Sequence, residues 1–124
     1  RTGSFLMVHG GCGSIGCYAM TDPVIDEIWR IVTAALRGGQ ARFQVQVFPF
    51  RMTERNLARH EGSPLAPFWA NLKTGHDLFE AGNIPPRVSV CDRRYAFEAG
   101  QPGYDGGGIV GAGCPGARSV APSP

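Results

Sequence analysis

A histidine and a cysteine lie close together in a glycine-rich stretch near the beginning of the chain. His9 follows the apolar residues 5–8, and Cys17 closes the turn that comes after the histidine. A thiol with an ordinary pKa of ~8.5 is mostly protonated at neutral pH, but a neighbouring imidazole can accept its proton and stabilise the thiolate. The two residues therefore predict a cysteine nucleophile that is activated by a histidine base.

The turn between these two residues is rich in glycine and contains one hydroxyl side chain, that of Ser14. Glycine allows the backbone to fold tightly, so that several peptide N–H groups can point at one spot. We expect the N–H groups of Gly16 and Cys17 to form an oxyanion hole. Gly10 and Ser14 complete the predicted loop of the site.

Three other interpretations of this stretch are open. Residues 11–16 match the dinucleotide-binding pattern G-x-G-x-x-G, but the helix start signal at residues 21–23 comes late and no carboxylate follows the next strand. His9, Cys12 and Cys17 could bind zinc, although the second close Cys/His pair of a structural zinc site is missing. The third interpretation is a structural turn that contains a buried thiol.

The segments around the turn alternate between strand and helix patterns, which predicts an α+β fold. Residues 5–8 read as a strand that leads into His9. A helix then begins at Asp22, an N-cap that Pro23 follows, and ends at the glycine pair 38–39. Apolar residues alternate with glutamines over residues 42–48, which predicts a half-buried strand.

The remaining elements are shorter or less regular. Thr53 predicts the cap of a short helix that reaches His60, which we expect at the surface, and Pro64 opens a longer helix that ends around Gly82. A short strand follows over residues 87–91. Trp29 and Trp69 lie on apolar stripes of their helices, so we expect both in the core.

Composition limits the classes of function. A chain of 124 residues has room for one core, and a net charge of +2 without a basic run argues against a nucleic-acid partner. No stretch approaches the ~18 apolar residues of a transmembrane segment. Four cysteines are too few for a disulfide framework. The residue patterns indicate no cofactor and no metal.

The motifs resemble a known family of enzymes. Over residues 4–97 the chain is similar to the YkuD-type L,D-transpeptidase catalytic domain, and within it to the YafK-like murein branch. The family pattern has a longer spacer after its first histidine. This chain also has Ile15 in place of a second histidine and Ala19 in place of Asn or Arg, and these departures fit the YafK-like branch. The segments that carry the resemblance are residues 7–12, 14–22, 48–53, 68–73 and 95–97.

The resemblance implies the C-terminal part of a mixed β-sheet domain with packed helices. Because the chain enters directly on a core strand at residues 5–8, we expect a fragment whose N-terminal strands are missing. We expect this partial catalytic domain over residues 1–97. Residues 98–124 hold many glycines and prolines and few large apolar residues, which predicts a disordered tail.

The resemblance also implies an activity in the bacterial cell envelope or periplasm. Cys17 would form a thioester with a diaminopimelate-containing peptidoglycan stem peptide, and His9 would move the protons. Tyr18, Arg51 and His76 are the expected substrate contacts. The acceptor stays open, since an amine gives cross-linking and water gives amidase or L,D-carboxypeptidase hydrolysis, and a catalytically silent fragment is a further alternative.

Cys12 is a second thiol in the same loop as the predicted nucleophile. A bridge between Cys12 and Cys17 closes only a small loop, and disulfides persist in an oxidising compartment. We therefore hypothesise a redox switch, with simple packing of Cys12 as a small apolar residue as the alternative.

Overall fold

The computed structural model describes residues 7–11, 17–107 and 110–115. The chain divides into two compact units, Arg1–Ala41 and Arg42–Pro124, and each is described by itself. Helices and mixed sheets occur in the order ββαααβββ, which confirms the α+β class. The partial catalytic domain expected over residues 1–97 stays a prediction.

The first unit contains two short parallel strands. Strand β1 (Val8–His9) pairs with β2 (Tyr18–Ala19), and Val8 lies opposite Tyr18 while His9 lies opposite Ala19. The Tyr18 N–H donates to the Met7 carbonyl at 2.9 Å, and the Met20 N–H donates to the His9 carbonyl at 2.7 Å. The predicted strand into His9 is therefore present at residues 8–9.

Helix α1 (Asp22–Arg37) follows β2 directly. Thr21 occupies the cap position, one residue before the predicted cap, and the helix ends where the Gly38 N–H donates to the Ala34 carbonyl at 2.9 Å. The predicted core position of Trp29 is wrong, because its side chain is 69% exposed. The described part of this unit is one helix and a two-stranded ribbon, which offers too little apolar surface to cover an indole.

The second unit begins with two helices that match the sequence prediction. Helix α2 (Glu54–Arg59) is capped by Thr53, whose side chain accepts from the Asn56 N–H at 3.1 Å. Helix α3 (Ala66–Gly82) ends at Asn83 in the left-handed conformation with φ of 53°. Trp69 of α3 is half-buried.

Two other rings pack against this indole. The ring of Trp69 meets Phe50 edge-on at 5.3 Å, and the exposed ring of His60 stacks on Phe50 at 4.4 Å. An imidazole stacked on a phenyl ring covers apolar surface while its nitrogens stay accessible. The surface position predicted for His60 is therefore compatible with a packing role.

Three strands follow the helices. Strands β3 (Arg87–Cys91) and β4 (Arg94–Glu98) form an antiparallel hairpin, and β5 (Gly111–Ala112) pairs with β3 in parallel, so that the order is β4-β3-β5. The two turn residues, Asp92 and Arg93, have φ of 51° and 63°. Positive φ at both central positions is the geometry of a two-residue type I′ turn.

Helix α3 lies against β4 through two specific contacts. The side-chain amide of Asn71 donates to the Tyr95 carbonyl at 2.8 Å and accepts from the Tyr95 N–H at 3.0 Å. Gly75 is buried against Phe97, and a Cβ at this position would lie 2.5 Å from the ring. The glycine therefore allows the close approach of helix and strand.

The strand predicted over residues 42–48 is absent, because this segment forms no strand ladder with the described residues. Its orientation is also the reverse of the expected one. Gln44 and Gln46 are half-buried, and Gln44 Nε2 donates to the Pro86 carbonyl at 3.0 Å. Phe43, Val45 and Val47 are exposed, with Val45 at 59%. Hydrogen bonding by the glutamine amides, which the alternation pattern ignores, turns the polar side inward.

Residues 98–107 and 110–115 of the predicted disordered tail are among those that the structure describes. Cys91 and Cys114 form a disulfide, with Cα atoms 4.8 Å apart, a single bridge that the sequence analysis did not predict. Arg87 lies over the ring of Tyr104 at 4.7 Å. A covalent bridge and the β3–β5 pairing hold a segment that has too few apolar residues to form a core by itself.

Replacing Gly75 with alanine will destabilise the second unit. The new methyl group collides with the Phe97 ring, and overpacking of this kind costs about 1–3 kcal/mol. The free energy of unfolding, measured by urea titration, should fall by this amount. Gly82→Ala in the same helix is the matched control, since nothing lies within 4 Å of its Cβ position. Equal stability of the two variants would contradict the contact.

Candidate functional site

The structure brings the principal predicted site residues together in the first unit. His9 ends β1 and Gly10 follows it, whereas Cys17 immediately precedes β2 and Tyr18 begins it. His9, Gly10 and Cys17 are half-buried, whereas Tyr18 is exposed. The predicted loop residues Ser14 and Gly16, and Cys12 of the hypothesised switch, lie outside the described residues.

The strand register relates His9 to Cys17. His9 pairs with Ala19, and Cys17 precedes Ala19 by two positions. Residues two apart along a strand share a face, as do directly paired residues of neighbouring strands. The peptide between Cys17 and Tyr18 belongs to the ladder through the hydrogen bond to Met7. The register therefore places Cys17, which immediately precedes β2, next to the strand pair that contains His9.

One hydrogen bond fixes the protonation pattern of the His9 ring. Nδ1 lies 2.6 Å from the carbonyl oxygen of Gly10. A carbonyl oxygen can only accept a hydrogen bond, so Nδ1 carries the hydrogen and donates it. In the neutral ring Nε2 is then the nitrogen with the lone pair, and it is the atom that can accept a proton.

The loop after His9 is held by the first turn of α1. The Gly11 N–H donates to Asp22 Oδ1 at 3.2 Å, and Gly10 packs so closely that a Cβ would lie 2.9 Å from Ile25 Cγ2. Gly11 itself has φ of 89°, which favours glycine. The sequence predicted Asp22 only as a helix cap. Two adjacent glycines, Gly10 and Gly11, in the turn before an acidic residue at a helix start are the sequence signal that could have indicated this contact.

The other two predicted substrate contacts lie in the second unit. Arg51 is exposed, and its carbonyl accepts from the Asn56 side-chain amide at 2.9 Å. His76 is half-buried on α3, where Nδ1 lies 3.0 Å from Asp77 Oδ1 and the ring meets Phe48 edge-on at 5.3 Å. His76 is thus part of a packed and hydrogen-bonded surface of this unit.

Asp77 connects His76 to a network of charged side chains. The Lys73 ammonium lies 2.5 Å from Asp77 Oδ2 and 3.2 Å from Glu54 Oε1. The hydrogen bond from Lys73, and then that from His76, lowers the pKa of Asp77. The same bond to Asp77 raises the pKa of Lys73. This network joins α2 to α3 through side chains that are partly in contact with water, so we assign it a modest stabilising role.

Cys91, Asp92 and Cys114 are the described residues whose ligand atoms cluster closely enough to hold a metal ion, within 4.8 Å of one another. The two sulfur atoms are bonded to each other in the disulfide, so they are not available as thiolate ligands.

Within the part of the chain that the structure describes, no helix has the length and apolar character to cross a membrane.

Comparison with known proteins identifies two relatives of this chain. Three quarters of its length resembles an L,D-transpeptidase, as the sequence motifs predicted. The relative is "Putative L,D-transpeptidase YafK" of Escherichia coli (strain K12), with 54% identity over 93 residues. The protein of that name in Escherichia coli O157:H7 gives the same values. The chain spans 38% of the length of these relatives. No family model matches the chain.

Replacing Asp22 with alanine will loosen the loop that orients His9. Without its acceptor the Gly11 N–H is unpaired, and loss of a cap-like bond costs about 0.5–2 kcal/mol. The fraction of the His9 ring protonated at Nδ1, measured from imidazole nitrogen shifts by NMR, should fall. Asp22→Asn retains an oxygen acceptor and should restore it.

Asp26→Ala is the control for loss of a negative charge on the same helix, since Asp26 makes no hydrogen bond to the loop among the described residues. Identical His9 spectra for Asp22→Ala and Asp26→Ala would show that the hydrogen bond does not orient the loop.

Proposed function

We propose that this chain carries the nucleophile and base of an L,D-transpeptidase that acts on peptidoglycan stem peptides in the bacterial periplasm. The observation that carries the proposal is the pairing of the strand that ends in His9 with the strand that Cys17 immediately precedes, with the imidazole Nδ1 bonded to the Gly10 carbonyl. The 54% identity to YafK over 93 residues supports the same class of reaction.

The first half of the reaction forms a thioester. Cys17 Sγ attacks the carbonyl carbon at the L-centre of diaminopimelate while Nε2 of His9 accepts the thiol proton. The tetrahedral intermediate then collapses, the amide C–N bond breaks, and His9 returns the proton to the leaving amine. The D-residue departs, and the diaminopimelate acyl group remains on sulfur.

The second half transfers the acyl group. An amine of another stem peptide, or water, attacks the thioester carbonyl while His9 accepts its proton, and Cys17 leaves as the thiolate. An amine acceptor gives a cross-link, and water gives hydrolysis of the type carried out by amidases or L,D-carboxypeptidases. The same thioester serves both outcomes, so analysis of the products decides between them.

The negative charge of the tetrahedral intermediate needs hydrogen-bond donors. We propose that the N–H groups of Gly16 and Cys17 supply them, each donor being worth about 3 kcal/mol in related chemistry. Tyr18, which is exposed beside Cys17 on β2, is a proposed substrate contact. Arg51 and His76 are proposed to bind the substrate as well.

Cys17 should be trapped by a carbapenem. The thiolate opens the strained lactam and stays bonded to its carbonyl carbon, so the protein gains the full mass of the drug in intact mass spectrometry. Cys17→Ala should gain no mass and should release no terminal D-residue. The double variant Cys91→Ala/Cys114→Ala is the control, because it removes the disulfide of the second unit without leaving a new thiol and should gain the same mass as the unaltered chain. Unchanged labelling of Cys17→Ala would overturn the assignment of the nucleophile.

Replacing His9 with glutamine should slow acylation about 10²–10⁴-fold, the usual contribution of a positioned base. A thiol without a base partner ionises more completely as the pH rises, so the loss should be smaller at pH 9 than at pH 7. His60→Gln is the control, since this exposed imidazole belongs to the residue that caps the C-terminus of α2 in the other unit. A wild-type acylation rate for His9→Gln at pH 7 would contradict the role of the base.

A further inference from the structure

The second unit contains an apolar groove that the proposed reaction does not use. It lies between the beginning of α3 and the β3–β4 hairpin and has a volume of about 510 Å³. Its apolar lining comes from Pro67, Phe68, Val90 and Tyr95. Phe68 is 47% exposed and Tyr95 is 38% exposed. A volume of this size falls within the range of small-ligand sites.

One wall of the groove is held by hydrogen bonds between the Asn71 side chain and the backbone of β4. Asn71, which also lines the groove, bonds through its side-chain amide to both the N–H and the carbonyl of Tyr95. The outward-facing backbone groups of β4 at this position are therefore already paired. A ligand in the groove cannot extend the sheet at Tyr95 and has to be recognised by its side chains and its charge.

An arginine occupies a strained position at the tip of the hairpin beside the groove. Arg93 has φ of 63°, where type I′ turns normally place glycine. A bulky residue is disfavoured in this conformation, and strain of this kind concentrates at functional sites. Arg93 lines the groove. Arginine at this turn position therefore gives the groove a guanidinium group, which glycine would not provide.

A second arginine adds to this charge. Arg94 follows Arg93 and lines the same groove. Across residues 7–11, 17–107 and 110–115, no carboxylate forms an ion pair with either guanidinium. An apolar groove with two adjacent unpaired guanidinium groups is complementary to an anion attached to an apolar body.

We propose that this groove binds the C-terminal carboxylate of a peptide whose last side chains are apolar. Arginine forks match a carboxylate with two parallel hydrogen bonds, and the rings of Phe68 and Tyr95 pack against the terminal side chains. Anionic membranes are usually recognised by clusters of about four to eight cations, and the groove has two. The site is independent of Cys17 and His9.

The test uses the acetylated dipeptide Ac-Leu-Phe with a free carboxylate and the same dipeptide with a C-terminal amide. Binding is followed by NMR titration of the intact chain, with the Tyr95 amide and the Asn71 side-chain amide as reporters. The carboxylate form should shift both signals and bind at least about tenfold more tightly than the amide, because a charge-assisted pair is lost.

Arg93→Gly separates recognition from folding. Glycine fits the positive φ of the turn, so the melting temperature should be unchanged or higher, while affinity for the carboxylate peptide should fall about tenfold. Arg94→Ala should weaken binding similarly. Arg55→Ala removes an exposed arginine of α2 outside the groove and should leave the affinity unchanged.

Four outcomes would overturn the proposal. Equal affinities for the carboxylate and amide peptides would remove the role of charge, and full affinity in Arg93→Gly would remove the role of the turn. Saturation of the same reporters by inorganic phosphate at the peptide's affinity would indicate a simple anion site. Capture by phosphatidylglycerol vesicles that depends on both arginines, without binding of the dipeptide, would indicate a membrane surface.

Discussion

The second unit depends on the close approach of helix α3 to strand β4. Asn71 and Gly75 lie one helical turn apart, so both face the strand, where one bonds to the Tyr95 backbone and the other admits the Phe97 ring. The amide bonds fix the position of the helix along the strand, and the glycine fixes its distance. The apolar groove exists because this packing also sets the N-terminal turn of α3 beside the hairpin.

The first unit is organised by a different constraint, the attachment of a glycine-rich turn to the start of a helix. Asp22 is placed by the chain at the beginning of α1, where it accepts from the Gly11 N–H. That contact holds the Gly10 carbonyl, which in turn binds the His9 ring at Nδ1. We therefore expect that this carboxylate, which takes part in no proposed chemical step, favours the His9 tautomer with the hydrogen on Nδ1.

Local signals in the sequence predicted the elements whose ends depend on short-range chemistry. Pro23 marks the start of α1 and the glycine pair 38–39 marks its end, and the Thr53 hydroxyl caps α2. These signals are reliable because helix capping and helix termination involve neighbours in sequence. The glycine-rich sequence between His9 and Cys17 predicted that the chain turns back after His9, and the strands next to these residues pair in parallel. The proposed class of reaction rests on the family resemblance, since spacing alone left zinc and dinucleotide interpretations open.

Failures of the sequence prediction arise where distant residues decide the outcome. Alternation over residues 42–48 could not anticipate that Gln44 bonds to the Pro86 carbonyl, and composition could not reveal that Cys114 pairs with Cys91. The hairpin turn differs in kind: the sequence predicted the strand over residues 87–91 but not its partner β4, because arginine at Arg93 is a poor type I′ residue and gives no turn signal. Glycine would fit this turn better, but only a side chain at this position can line the groove, so the unfavourable backbone conformation and the proposed recognition have the same residue as their cause.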